Sequence, residues 1–415
     1  MKKTLFIAVF CLAQLSSNAQ LFKPLGLGIV APMDLISKWY EPQMNVEGDI
    51  LYVCTANGLY SKDLSDDGSP WQLAGFEGVP LQDYARSGSD VLALRHCYWE
   101  HTAFTLLSHD GGKSYEDITP EYLKGRGYAF LRLEQHPADP NTLLTWFQPY
   151  ARAYLTKDFG RTWEKVSDNM PMYMGLKEFP REQMGFHPLD PGTIYTSGFV
   201  GDNQAAVSTS YDNGDSWQLH LQYTEWWFNT VYRMAFHPTD PNRWIAGGTS
   251  CTYRTNDNGQ TWEMRYLPYE DAFRRQWKFA EYDNENPDTI YMATLMKHTV
   301  VSTKEEHLQE NYLAVMCSTD GGETWNKPYE GLAATVTTPV GFLFDMKQYH
   351  DKLLLYTESD VYEISKADLL DATTPVYGIA AKTKTDALYD LTGRRLTDAP
   401  KKGLYIKGGK KYVSQ

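Results

Sequence analysis

Cysteine is scarce: there are five in 415 residues and none in CxxC spacing, which removes the usual zinc frameworks and thiol redox motifs. Cys54, Cys97, Cys251 and Cys317 lie far apart in the chain. Free buried thiols are the simplest reading, with Cys54–Cys97 and Cys251–Cys317 as the alternative pairings. Positive charge is also short. Lys and Arg number 39 against 52 Asp and Glu, a formal net charge of −13, so nucleic acid is not expected as a partner. A highly sulfated glycan is disfavoured too, unless arginines are gathered locally. No segment after the first twenty residues is apolar enough to span a membrane.

The N-terminus differs. Lys2-Lys3, an apolar run from Leu5 to Leu12 and the small-residue stretch Ser17-Asn18-Ala19 read as a secretory signal over residues 1–19. Cys11 follows Phe10, which does not fit a lipid anchor. The expectation is an exported monomer: periplasmic, at the cell surface or secreted.

What the chain does have is repetition. Ser318-Thr319-Asp320-Gly321-Gly322-Glu323-Thr324-Trp325 returns at Thr255–Trp262, Ser210–Trp217 and Thr156–Trp163. Ser108–Tyr115 ends in Tyr instead, and Ser65–Trp71 is a frayed copy. In the pattern S/T-x-D-x-G-x-S/T-W, the Asp and hydroxyl side chains close a turn on nearby backbone groups. The Gly supplies positive φ, and the Trp carries a large apolar surface into a strand. A second phrase precedes each turn: His136-Pro137-Ala138-Asp139-Pro140, His187-Pro188-Leu189-Asp190-Pro191, His237-Pro238-Thr239-Asp240-Pro241, and a weaker Asn286-Pro287-Asp288. Each sits between two β-rich runs and reads as a hairpin. The five full Asp positions, 110, 158, 212, 257 and 320, are 48, 54, 45 and 63 residues apart, periods that suit four-stranded propeller blades.

These motifs resemble those of the Asp-box (BNR-repeat) β-propellers, a superfamily that includes sialidases, xyloglucan-acting glycoside hydrolases, sortilin-type receptors and photosystem assembly factors. The resemblance covers roughly residues 45–365. It implies an all-β fold in which the box tryptophans, Trp163, Trp217, Trp262 and Trp325, pack between blades. The predicted fold is a seven-bladed β-propeller with four-stranded antiparallel blades over residues 20–375. Its last blade borrows an outer strand from Leu25–Val30, which removes the sheet edges. Residues 376–415 form a small C-terminal β appendage, basic by nine Lys/Arg to three Asp over 382–415. It resembles the short β tails of exported Bacteroidetes proteins and their type IX sorting domains.

In such a wheel, the inter-blade loops and the second-to-third-strand loops share one face, and the Asp-box turns lie on the other. The loop face then collects Trp99, Trp146, Tyr150, Arg152, Tyr223, Trp226, Trp227, Arg274 and Trp277, the expected substrate-binding set, with Tyr84, Arg86 and Tyr122 nearby. Aromatic platforms stack on sugars, while Arg and carboxylate groups hold hydroxyls and uronates. Glycoside hydrolysis needs two carboxyl groups across the bond. Glu225 between Tyr223 and Trp226 is the first candidate, because apolar neighbours raise a carboxyl pKa; Glu100 is the second. Glu178, Glu182 and Asp271 are further loop carboxylates. A lyase would use His96, His101 or Tyr98 as base. No metal site or cofactor is expected. Sialidases begin their arginine triad in an Arg-Ile-Pro motif. Here the first arginine is Arg86 and the motif is absent, so a standard sialidase is disfavoured. The reading is an exported glycoside hydrolase acting on a poly- or oligosaccharide. A non-catalytic glycan- or protein-binding propeller is the alternative.

Overall fold

The computed structural model describes residues 21–28, 41–97, 102–124, 129–148, 152–170, 172–173, 176–177, 182–200, 204–222, 230–267, 276–302, 307–326, 328–332, 343–372, 377–378 and short strands between 388 and 414. The chain divides into two compact units, Met1–Tyr377 and Gly378–Gln415. The first holds seven antiparallel four-stranded blades in a propeller arrangement. Their inner strands are Met44–Glu47, Leu81–Ser87, Ala129–His136, Gln183–Phe186, Met234–Phe236, Phe279–Tyr282 and Leu343–Tyr349. The second unit is a single four-stranded sheet. The secretory signal lies outside the described residues.

The ring closes as expected but with different residues. Lys23–Pro24, not Leu25–Val30, pairs with Glu363 and Tyr362 at the outer edge of blade seven. The Leu25 N–H then donates to the Val361 carbonyl, and the Leu27 N–H donates to Asp360 Oδ1 at 3.0 Å. Two glycines with positive φ, Gly26 and Gly28, turn the chain away. Blade two begins earlier than its repeat suggested, so Tyr84 and Arg86 lie on its inner strand and not in a loop. In blade six Ile290–Ser302 pairs with His307–Ser318 in a long hairpin. Cys54, Cys251 and Cys317 are buried free thiols, which excludes both proposed pairings.

Each Asp box is a small closed hydrogen-bond circuit. The Ser318 hydroxyl donates to Asp320 Oδ1 at 2.8 Å and accepts the Gly322 N–H at 2.8 Å. Asp320 accepts the Thr324 N–H and hydroxyl at 2.8 and 2.5 Å. The copies at Asp110, Asp158, Asp212 and Asp257 repeat this bond for bond. Two successive residues in every box take positive φ, for example Phe159 at 55° and Gly160 at 86°. A Cβ on Gly160 would meet Leu92 of the preceding blade at 2.6 Å, so glycine here serves packing as well as φ. The box then docks on the first hairpin turn of its own blade: Phe159 N–H to Asn141, Asn213 to Gly192, Asn258 to Asn242, Gly321 to Asp288. Trp325 and Trp217 are buried, while Trp163 and Trp262 are half-buried against their clusters.

The HPxDP histidines are staples between blades. The Nδ1 of His136, His187 and His237 accepts backbone N–H groups two and three residues on. Each ring packs edge-on against an aromatic of the next blade, Phe186, Phe236 and Tyr282 respectively. Burial pushes the His187 pKa down to about 4, so this ring is neutral at pH 7. In blade six Asp283 takes the same place and accepts the Glu285 and Asn286 N–H groups.

Candidate functional site

The seven inner strands converge on a hub, and a belt of polar groups lies there. Asp83 and Asp345 follow bulges in their inner strands, as Arg132 does in blade three. Asp83, Gln183 and Asp345 each accept a backbone N–H from the next blade: Leu133 at 2.8 Å, Met234 at 2.7 Å and Met44 at 3.2 Å. These side chains tie neighbouring blades together close to the axis. Burial raises the Asp83 pKa to about 6 despite the charge of Arg132.

Two arginines reach across the hub. Arg233 of blade five donates to Asp345 of blade seven at 2.6 Å, to Gln43 ahead of blade one at 2.9 Å, and to the Phe344 carbonyl at 3.3 Å. Its guanidinium lies 4.7 Å from the Phe279 ring centre. Arg132 of blade three donates from Nη2 to Glu41 at 2.7 Å. Together these groups floor the hub. Further along the inner strands toward the Asp-box face, burial and the charge of Asp83 raise the Glu134 pKa to about 7. Burial raises that of Glu281, and Asp345 raises that of Lys347.

The loop-face side of the floor carries Glu41, Glu182 and Lys278, each just ahead of an inner strand. Glu182 is fixed by its N–H, which donates to the Ser197 carbonyl. The residue lies at the exposed edge of the floor, where desolvation by the surrounding protein raises its pKa and the charge of Glu41 adds to that. Glu41 goes the other way. Burial would raise it, but Arg132, Lys278 and Arg233 outweigh that and hold it down. Two neighbouring carboxyls are thus pushed in opposite directions.

Of the residues expected from sequence, Glu225, Glu100, Trp99, Tyr150, Tyr223, Trp226, Trp227 and Arg274 lie outside the described residues. Arg152 opens the third strand of blade three and is exposed. Trp146 is a correction. It sits on the second strand of blade three, only 2 % exposed and inside the core with Leu144, Met184 and Trp217. Trp277 is a second correction, at 0 % exposed. Its backbone N–H donates to Gly248, and its carbonyl passes 2.0 Å from where a Cβ on Gly247 would stand. Both tryptophans hold blades together and present no face to a sugar. Sequence reasoning missed Glu41, Arg132, Arg233, Lys278 and the belt. The available signal was a charged residue two places after an apolar one at an inner-strand start: Leu81-Gln82-Asp83, Phe130-Leu131-Arg132 and Leu343-Phe344-Asp345. Among the described residues no three His, Cys, Asp or Glu converge to hold a metal, and no helix is long and apolar enough to cross a membrane.

A closed ring of seven blades, five of them carrying the same hydrogen-bonded box, defines a structural class: the Asp-box β-propeller. Comparison with known proteins agrees. The Sortilin-Vps10 family model (sortilin, neurotensin receptor 3) matches residues 104–231, and the BNR/Asp-box repeat model matches residues 316–327. No curated protein sequence matches. Among solved structures, YCF48 bound to D1 peptide is 14% identical with a TM-score of 0.51, over 83% of this chain and 96% of that one. The extracellular domain of a putative hybrid two component system from B. thetaiotaomicron is 9% identical with a TM-score of 0.52, over 83% of this chain and 39% of that one. An ancestral GH74 enzyme is 10% identical with a TM-score of 0.45, over 83% of this chain and 54% of that one. The fold and the two partial family-model matches support a likeness to the BNR-repeat β-propeller superfamily.

Proposed function

We propose that this chain is an exported glycoside hydrolase whose poly- or oligosaccharide substrate enters the hub from the loop face, with Glu182 as the proton donor. The observation that carries this reading is the divergence of Glu182 and Glu41. Glu182 sits at the exposed edge of the hub floor with its carboxyl desolvated and its pKa raised, and Glu41 is held ionised by three cations. A carboxyl that keeps its proton nearer neutral pH is suited to protonate a leaving glycosidic oxygen. The second catalytic carboxyl comes from the loops, where Glu225 and then Glu100 are the candidates.

The test is release of reducing ends from a panel of polysaccharides by the full chain. Glu182→Gln is expected to lower turnover by about 10²–10⁴-fold while leaving the affinity for the glycan within about twofold. Turnover undiminished in this variant would remove Glu182 from the reaction.

A second reading, a propeller that binds without catalysis, is favoured by one pair of facts. Trp146 and Trp277 belong to the core, and the hub floor is tied shut by ion pairs. YCF48, matched over nearly its whole length, is bound to a peptide. Glycan or peptide binding by the wild type, with no bond cleavage on any substrate, would select this reading.

A further inference from the structure

The arginine fork in the hub is only half used. Arg132 Nη2 holds Glu41, while Arg132 Nη1 is buried with no partner among the described residues. A guanidinium presents parallel N–H groups suited to both oxygens of one carboxylate, and a charged donor left unpaired in the interior is costly. Arg233 is different: Asp345, Gln43 and the Phe344 carbonyl all accept from it. Lys278 is half-buried, and its charge acts on both Glu41 and Glu182. No carboxylate among the described residues lies within ion-pair distance of it. Three cations therefore gather in a chain whose net charge is −13, and one prong and one ammonium remain to be used.

We propose that this corner is a carboxylate subsite and that the saccharide taken by the hub is an acidic one. A uronic acid residue displaces Glu41, engages both nitrogens of the Arg132 fork and lies beside Lys278. Glu41 is the resident stand-in. It is bound through one oxygen, its side chain is 39% exposed, and it sits on the approach to the first inner strand and not within it. On displacement its carboxylate regains water, so the exchange swaps one anion for another and leaves no buried cation unpaired. A neutral sugar has nothing to exchange and leaves Glu41 in place. The inference rests on the saccharide reading above and adds the class of sugar.

The test is calorimetric titration of the full chain with oligogalacturonate and a glucuronate-containing oligosaccharide, each against its methyl ester, at one ionic strength. Wild type should prefer the free acid. Lys278→Met should weaken binding of the acid by about tenfold, the factor that ~1.4 kcal/mol represents, and leave the ester unchanged. Glu41→Gln, which removes the resident competitor, should tighten the acid by about the same factor. If Glu41→Gln does not fold, Lys278→Met decides alone, since its side chain is not part of the buried ties. Equal binding of acid and ester, indifference of the acid to Lys278→Met, or binding only of peptides through their C-terminal carboxylate would overturn the subsite. Acid-selective binding without cleavage would keep the subsite and end the hydrolase reading. Cleavage of a neutral glycan unaffected by Lys278→Met would do the reverse.

Discussion

The two faces of this propeller are held by opposite means. On the Asp-box rim the box circuits are local: Asp320 to Thr324 and Ser318 to Gly322 are each four residues apart, although Glu323 also bonds Arg254 and Tyr211 bonds Asn258 across neighbouring blades. The same circuit is printed five times. At the hub, Asp345 meets Met44 across 301 positions, and Arg233 meets Gln43 across 190. Among the described residues the hub side chains vary from blade to blade, with Asp83 and Asp345 the matching pair. The box circuits can form blade by blade before the ring exists, because they need no distant partner. The hub is complete only when the first and last blades have met, because the ties of Asp345 and Arg233 bridge them. Repetition therefore marks what builds each blade, and its absence marks what closes the wheel and fills its centre.

The largest effect expected of this contrast comes from cutting a hub tie. Asp345 is 1% exposed and accepts from Arg233, Met44 and Met346 together. Asp345→Ala takes the carboxylate from the Arg233 guanidinium and leaves two backbone N–H groups unpaired, and stability should fall by about 3–5 kcal/mol in denaturant titration. A loss under about 1 kcal/mol would mean that water reaches the hub and screens its charges. Trp325→Ala, on the rim side, should cost a similar ~3–5 kcal/mol because the ring is fully buried. Half-buried Trp262→Ala should cost about half of that.

Next comes the inter-blade histidine. Burial lowers the His187 pKa to about 4, whereas the unfolded chain titrates near 6.5. As pH falls below about 6.5 the unfolded state takes the proton first, so stability declines from there down to about pH 4. The loss is at most about 3 kcal/mol for this residue. His187→Asn keeps an acceptor for the Leu189 and Asp190 N–H groups, as Asp283 does for its own turn in blade six. Denaturation midpoints at pH 7 and 4.5 should therefore lie closer together in the variant. Equal slopes would place the pH dependence elsewhere.

The same contrast governs what could be read before the structure. Blade number and box chemistry are legible because seven consecutive residues contain the whole circuit. Misplacements fell where a strand outran its repeat. The second strand of blade three extends to Gln148, which takes Trp146 out of the supposed loop and into the core. The inner strand of blade two starts at Leu81, which takes Tyr84 and Arg86 into the sheet. Arg132 and Glu41 carry no visible relation in sequence, since they are 91 positions apart and only ring closure makes them neighbours. The ring strand at Lys23–Pro24 was off by a few residues because two-residue pairing leaves almost no pattern to detect.

The smallest predicted effect is the sharpest check on locality. The Thr255 hydroxyl donates to Asp257 at 2.7 Å and accepts the Gly259 N–H at 3.1 Å. Thr255→Ala removes one hydroxyl from one of five equivalent circuits, while Asp257 keeps its bonds to Thr261. The Gly259 N–H is left buried, so the cost should be about 1–2 kcal/mol. Because each circuit closes on itself, the matching Thr156→Ala in blade three should add to it without coupling, within about 0.5 kcal/mol. A double variant much less stable than that sum would show the boxes cooperating around the rim. They would then resemble the hub, and the division between blade-building and ring-closing contacts would not hold.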